Sequence, residues 1–431
     1  MEVARVKRSC RYIGVVSLVL ILFVMPTLAA AQVSLEVWND FNPATSIDAR
    51  ALVEAYREYE RLNPGVKINH NTMTYADLRQ KAVVANQAGT GPDVLHMLGE
   101  WVAEFSALGI IEDITDLVEN WEDKDQFPAS TWAVATSQGR IYGIPSIAST
   151  RALVYRNDLF EEVGIAEPPV TWSDLRDVAK KLAVDRDGDG RADVAGFAFC
   201  SSTDAVRGPQ EFLVLLWSTG AELAVQTDGK WVPGFTVDQV RDVYQLLYDM
   251  MHVDKSVPEY IRGWEYNDLD QAFEVGTVAM CQNGAWMANR ATRSATGEHW
   301  RTAAVPYQKV PATYMEVKVE AIGAHSANKA EAWNLLSYLM SKDQMYSFTK
   351  YDNLPSRSDV MALPYYQENE IWCKTFLELV PHGKVIPSIP LSQVFLSSME
   401  YLQAVLYKLA TPEQAAQGFY DDTAAYLSTL R

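Results

Sequence analysis

Residues 33–40 read Val33-Ser34-Leu35-Glu36-Val37-Trp38-Asn39-Asp40. Val33, Leu35 and Val37 alternate with polar neighbours, the period of a half-buried β-strand, and Asn39 and Asp40 follow at its carboxyl end. Working outward, 46–62 fits a helix with Leu52, Val53, Tyr56 and Tyr59 turned inward, stopped by Pro64-Gly65. A second strand over 66–69, a second helix over 75–88 and a third strand over 94–97 follow. The turn Gly89-Thr90-Gly91-Pro92-Asp93 precedes that third strand. Strand–helix–strand alternation with turns this short predicts an α/β, doubly wound, mostly parallel sheet. In such sheets a ligand lies outside the carboxyl ends of the strands, which directs attention to Asn39, Asp40, Glu100 and Trp101.

The pattern continues without an internal repeat or a low-complexity linker. A strand fits 152–155, a helix capped by Thr171 or Ser173 fits 172–183, another helix 237–251 and a short strand 277–280. Beyond Lys329 the periodicity is helical almost to the end. At 431 residues, 48% hydrophobic and 21% charged, the chain predicts two or three globular domains. Its formal charge of −18, from 37 basic and 55 acidic side chains, excludes nucleic acid as an expected partner. It suits a monomer with a solvated acidic surface. The 12 Trp, 21 Tyr and 14 Phe exceed what a core of this size usually needs, a hint of flat faces offered to a ligand.

The first 31 residues follow other rules. Arg5, Lys7, Arg8 and Arg11 precede an apolar run from Ile13 to Met25, Pro26 breaks it, and Ala29-Ala30-Ala31 supplies small side chains for cleavage. That is a signal peptide cleaved near Ala31, with an uncleaved anchor as the alternative. Its loss leaves 33 basic and 54 acidic residues, a charge of −21. No Cys stands at the cleavage point for a lipid anchor, which favours a periplasmic location. Cys200, Cys281 and Cys373 remain, an odd set at wide spacing that reads as buried thiols, although one pair could form.

Catalytic and cofactor motifs are mostly missing. The six His lack zinc-ligand spacing, and there is no nucleophile elbow, Walker sequence or dinucleotide fingerprint. No cofactor is required on these grounds. Asp185, Asp187, Asp189 and Asp193 match positions 1, 3, 5 and 9 of an EF-hand-type loop, but Gly196 stands where the bidentate Glu belongs. A structural calcium and a tight turn with Asp side chains capping amides are the two readings.

Four stretches carry a more specific likeness. The first is Gly89-Thr-Gly-Pro-Asp93-Val with Ala107-Leu-Gly-Ile-Ile-Glu-Asp-Ile114. The second is Tyr142-Gly-Ile-Pro145, Leu153-Val-Tyr-Arg-Asn-Asp158 and Pro169-Val-Thr-Trp172. The third runs Phe273-Glu-Val-Gly276-Thr-Val-Ala-Met280 to Asn283-Gly284-Ala-Trp286, and the fourth joins 332–340 to Leu354-Pro355-Ser-Arg357. In this order and spacing, the chain resembles the extracellular solute-binding proteins of bacterial ABC importers, in the sugar-binding group that includes the maltodextrin-binding protein. The resemblance implies a periplasmic-binding-protein-like fold, two doubly wound α/β lobes joined by a hinge and closing on a solute. It implies a non-enzymatic protein that hands a neutral carbohydrate to the transmembrane subunits of an ABC permease. Another solute, such as a polyol, polyol phosphate or polyamine, and a secreted carbohydrate-active enzyme are the alternatives.

The implied lobes are 32–148 with 307–353, and 149–306 with 354–431, so the chain crosses near Ser149, Pro306 and Leu354. The implied solute contacts are Asn39 and Asp40 after the first strand, and Met97, Glu100 and Trp101 around the third. Here the sequence departs from the maltodextrin-binding pattern, with Met97 in place of a stacking aromatic and Trp101 in place of an Arg. In the second lobe the resemblance implies stacking by Trp286, with Asn283 beside it, and contact through Arg357. Ser149, Thr150, Gln210, Tyr314 and Glu320 lie near crossings or cleft-facing loops. Sugar rings present C–H faces to aromatics and hydroxyls to oriented polar groups, so a Trp with carboxylates and amides suits them. The bland alternatives are core packing for Trp101 and Trp286, a helix N-cap for Asp40 and a hinge ion pair for Arg357.

Overall fold

The computed structural model describes residues 32–430 except 187, 189–191, 204–206 and 352. The expected first strand is β1, Val33–Asn39. It leads to helix α1, Ile47–Leu62, capped by the Ser46 side chain accepting the Ala49 N–H. Strand β2, Val66–Thr72, helix α2, Tyr75–Gln87, and strand β3, Val94–Leu98, complete the alternation. Strand β4, Ile144–Ser149, ends the first passage, and β5, Ala152–Arg156, begins the second lobe only three residues later.

In the second lobe come α3, Trp172–Leu182, α4, Arg207–Ser218, α5, Val237–Tyr248, and α6, Tyr266–Val275. Thr171 caps α3 in a reciprocal box with Asp174. Strands β6, Met280–Asn283, and β7, Trp300–Ala303, follow. The chain then returns to the first lobe as β8, Glu316–Ile322, and α7, Lys329–Leu339, and finishes on α8, Ser392–Leu406, and α9, Pro412–Leu427.

The first sheet has strand order β2-β1-β3-β8-β4. β1 runs parallel to β2 and β3, whereas β8 is antiparallel to both β3 and β4, so β8 alone opposes the others. Because β8 arrives from the other lobe and inserts between β3 and β4, it places Glu316, Lys318 and Glu320 along one face at period two. The second sheet, β6-β5-β7, pairs antiparallel, and residues 195 and 198 add parallel bridges to its edge.

The chain passes from the first lobe to the second between β4 and β5 and returns between β7 and β8. The third crossing does not fall at Leu354. Val360, Tyr366, Phe376 and Leu379 are buried in the core that holds Leu35, Tyr56 and Phe348 of the first lobe. Val394, Phe395, Met399 and Leu402 are buried with Phe212, Trp217 and Tyr244 in the second. The segment 358–379 therefore belongs by packing to the first lobe, and the chain changes sides between Leu379 and Ser392. Its apolar face is built to cover the first core, which a boundary drawn at the Leu354-Pro355 motif could not reveal. Cys200, Cys281 and Cys373 are buried free thiols.

Candidate functional site

A cleft of about 580 Å³ opens between the lobes. From the first lobe, Asp40 and Phe41 reach it from the β1 carboxyl end, Tyr75 from the start of α2, and Glu316 and Lys318 from β8. From the second lobe come Gln210 of α4, Asp270 of α6 and Trp286 after β6. Arg151 lies on the crossing itself.

Arg151 is almost fully buried and joins the two walls. Its Nη2 donates to the Gln210 Oε1 and, at 2.5 Å, to the Glu316 Oε2. The guanidinium carbon sits 4.6 Å from the centre of the Trp286 ring, a cation–π geometry. Its Nε and Nη1 are buried without a hydrogen-bond partner among the described residues. Burial by itself would raise the Glu316 carboxyl, but Arg151 and Lys318 outweigh it and hold the group below the usual range. Glu316 is therefore an anion at neutral pH.

The second wall is a closed ion network. Arg207 donates to Asp270 at 2.6 Å, to Glu211 at 2.9 Å and to the Gln282 carbonyl at 2.6 Å. Asp270 also accepts from Asn283 at 2.9 Å and lies 3.5 Å from Arg290, which bonds Glu274 at 2.7 Å. Burial pushes Glu211 up to about 7 although Arg207 pulls it down. The network fixes the loop that bears Trp286. Gly284 is required there, because a Cβ at that position would overlap the indole ring.

Three of the residues implied by resemblance line this cleft: Asp40, Gln210 and Trp286. Asp40 is 3.4 Å from His96, which in turn bonds Glu320, so Glu320 lies beneath the floor and not on it. Asn39 is buried, its Oδ1 accepting from the Phe41 amide at 3.1 Å and lying 2.7 Å from His70. Met97 is wholly buried in the first-lobe core. Ser149 and Thr150 turn to the crossing, where Thr150 donates to the Phe376 carbonyl at 2.9 Å. Asn283 supports Asp270 from behind. Arg357 is 3% exposed and pairs with Asp123 at 2.7 Å and Asp359 at 3.0 Å, the ion-pair alternative.

Glu100 and Trp101 line a second pocket of about 380 Å³ with Arg79 and Phe395, and the Glu100 carboxyl also meets Gln210 of the cleft wall. The Tyr314 hydroxyl donates to Glu100 at 2.5 Å, and its ring stacks on Trp217 at 5.8 Å. Burial pushes Glu100 up to about 7, against the opposing effect of the Tyr314 bond.

Sequence reasoning missed Arg151, Arg207, Asp270 and Lys318. Two signals were present. Glu316-Val-Lys318-Val-Glu320 alternates charge with apolar residues in a strand, which places charges on one face. Arg151 directly follows the Ser149-Thr150 crossing. The pairing of Arg207 with Asp270, 63 positions apart, has no local sequence signature.

In the Asp-rich loop, Asp185 accepts the Gly188 N–H at 2.7 Å and Asp193 the Arg186 N–H at 2.6 Å. These are the capping contacts of a tight turn. Asp187 and Asp189 lie outside the described residues. Among the described residues no group of three or more His, Cys, Asp or Glu is placed to hold a metal.

Two α/β lobes with three crossings and a polar interlobe cleft define the class of two-lobed solute-binding proteins. Residues 43–346 match the bacterial extracellular solute-binding protein family, and the chain belongs to it. A putative binding protein of Brucella abortus is 28% identical over 343 residues, covering 78% of this chain and 80% of that one. The galactooligosaccharide-binding protein of Bacillus subtilis is 25% identical over 395 residues, 88% of this chain and 86% of that one. An ABC transporter solute-binding protein of Thermotoga lettingae, solved with α-D-tagatose, superposes with a TM-score of 0.82 at 23% identity. It covers 92% of this chain and all of its own, and shows the same fold. The family is extracellular, and among the described residues no helix is long and apolar enough to cross a membrane.

Proposed function

We propose that this chain binds a neutral carbohydrate in the interlobe cleft and delivers it to the transmembrane subunits of an ABC importer. The observation that carries the reading is the half-buried Trp286 indole, set beside buried Arg151 donors that have no hydrogen-bond partner among the described residues. An indole face suits sugar C–H groups, and fixed donors suit hydroxyls. The galactooligosaccharide-binding and tagatose-bound relatives support the same solute class. The protein acts by binding and not by turnover, as a monomer in the periplasm after cleavage near Ala31.

Calorimetry and thermal shift over mono-, di- and oligosaccharides test the proposal. A ligand at a hundredfold excess over its Kd adds about 2.7 kcal/mol of stability. Stoichiometric heat without product supports binding; release of a hydrolysed product sinks it. This function needs no cofactor.

A further inference from the structure

Among the described residues, Tyr75 alone lines both the 580 Å³ cleft and the 380 Å³ pocket. Its ring centre is 5.6 Å from the Lys318 ammonium, which belongs to the cleft, and 5.8 Å from the Trp101 ring, which belongs to the pocket. One side chain therefore stands between two cavities. The Tyr314 hydroxyl bonded to Glu100 closes the adjoining seam between the lobes. This second pocket is furnished like a sugar subsite, with Trp101, Glu100 and Gln80 in its lining.

We propose that Tyr75 is a specificity-determining residue that sets the length of the bound saccharide by closing the inner end of the cleft. The proposal rests on the carbohydrate reading of the cleft. In the wild-type protein the solute ends against the Tyr75 ring. Without that ring, the cleft would run on into the Trp101 pocket and gain about two thirds of its volume, space for further sugar units of the same chain. Tyr75 is the first residue of α2, and the cap is supplied by the preceding Thr74, so shortening its side chain leaves the helix start intact.

The test is calorimetry with linear gluco-, galacto- and arabino-oligosaccharides of one to six units. Wild type should bind up to a limiting length and lose at least tenfold in affinity beyond it. Tyr75→Ala should bind chains one or two units longer with at least tenfold gain over wild type. Tyr75→Leu, which retains more bulk for packing, should move the limit in the same direction. Tyr75→Phe should keep the wild-type limit, and Tyr75→Ala combined with Trp101→Ala should lose the gain. Superimposed length profiles for wild type and Tyr75→Ala overturn the proposal while leaving carbohydrate binding intact. So does a wild type that binds long chains as tightly as short ones. If no saccharide binds any variant, the carbohydrate reading and this inference fall together.

Discussion

Removing the Trp286 ring tests the cleft most directly. A sugar face laid on the indole buries on the order of 50 Å² of apolar surface, which at about 25 cal/mol/Å² gives ~1.2 kcal/mol. Aromatic face contacts add about 0.5–1.5 kcal/mol beyond area. Trp286→Ala should therefore weaken binding by roughly 1.7–2.7 kcal/mol, or about 16- to 85-fold at 1.4 kcal/mol per tenfold. The ring is half-buried and the Arg207–Asp270 network beneath it does not depend on it, so the melting temperature should stay within about 5 °C of wild type. Gly284→Ala should mimic the loss, since the new methyl group displaces the ring without removing it. The assay is calorimetry with the best saccharide, paired with thermal melting. Native affinity in Trp286→Ala refutes the stacking argument; a collapse in stability shows instead that the ring is a core residue.

Three further outcomes separate structural from ligand roles. Arg357→Ala should lower stability by about 1–3 kcal/mol, because the Met340 carbonyl and two carboxylates lose their donor, yet leave solute affinity within twofold by calorimetry. Glu100 is held up to about 7, so the folded protein binds a proton that the unfolded chain releases near the ordinary carboxylate value. Stability from this group is full below that ordinary value and is lost as pH rises through about 7. Melting temperature should thus fall between pH 5 and 8, and Glu100→Gln should flatten the fall; equal slopes reject the assignment. Finally, the turn geometry of Asp185 and Asp193 predicts equal melting in EDTA and in calcium, whereas a drop restored by calcium would assign an ion to the loop.

What was legible followed periodicity. The β1–α1–β2–α2–β3 succession needs only short-range patterns, and its boundaries come within a few residues because Ser46, Pro64 and Gly89 mark them locally. The cleft is less legible because its walls meet through the crossings. Trp101 follows β3 as the strand rule requires, but Tyr75 stands between it and Trp286, so the two aromatics that the sequence suggested as facing walls occupy different cavities. Arg357 illustrates the opposite error. A motif placed it near the solute, whereas burial against Asp123 gives it a partner that no local spacing announces. Segment 358–379 was misplaced for a similar reason: an amphipathic stretch states that one face is buried, not which core buries it.

The charge argument also changes level. A chain of −18 suggests a cleft hostile to anions, yet the cleft is lined by five cations and five carboxylates: Arg151, Arg207, Arg290, Arg293 and Lys318 against Asp40, Asp48, Asp270, Glu274 and Glu316. Arg207 with Asp270, Arg290 with Glu274 and Arg151 with Glu316 are already paired. A charged solute would have to compete with those pairs and bear the cost of breaking desolvated contacts. A neutral polyol needs no such exchange. It can take up the remaining donors of Arg151 while their charge stays balanced by Glu316, gaining charge-assisted hydrogen bonds without bringing a charge of its own. Local pairing in the cleft, and not the acidity of the whole surface, is therefore the physical reason to expect a neutral sugar.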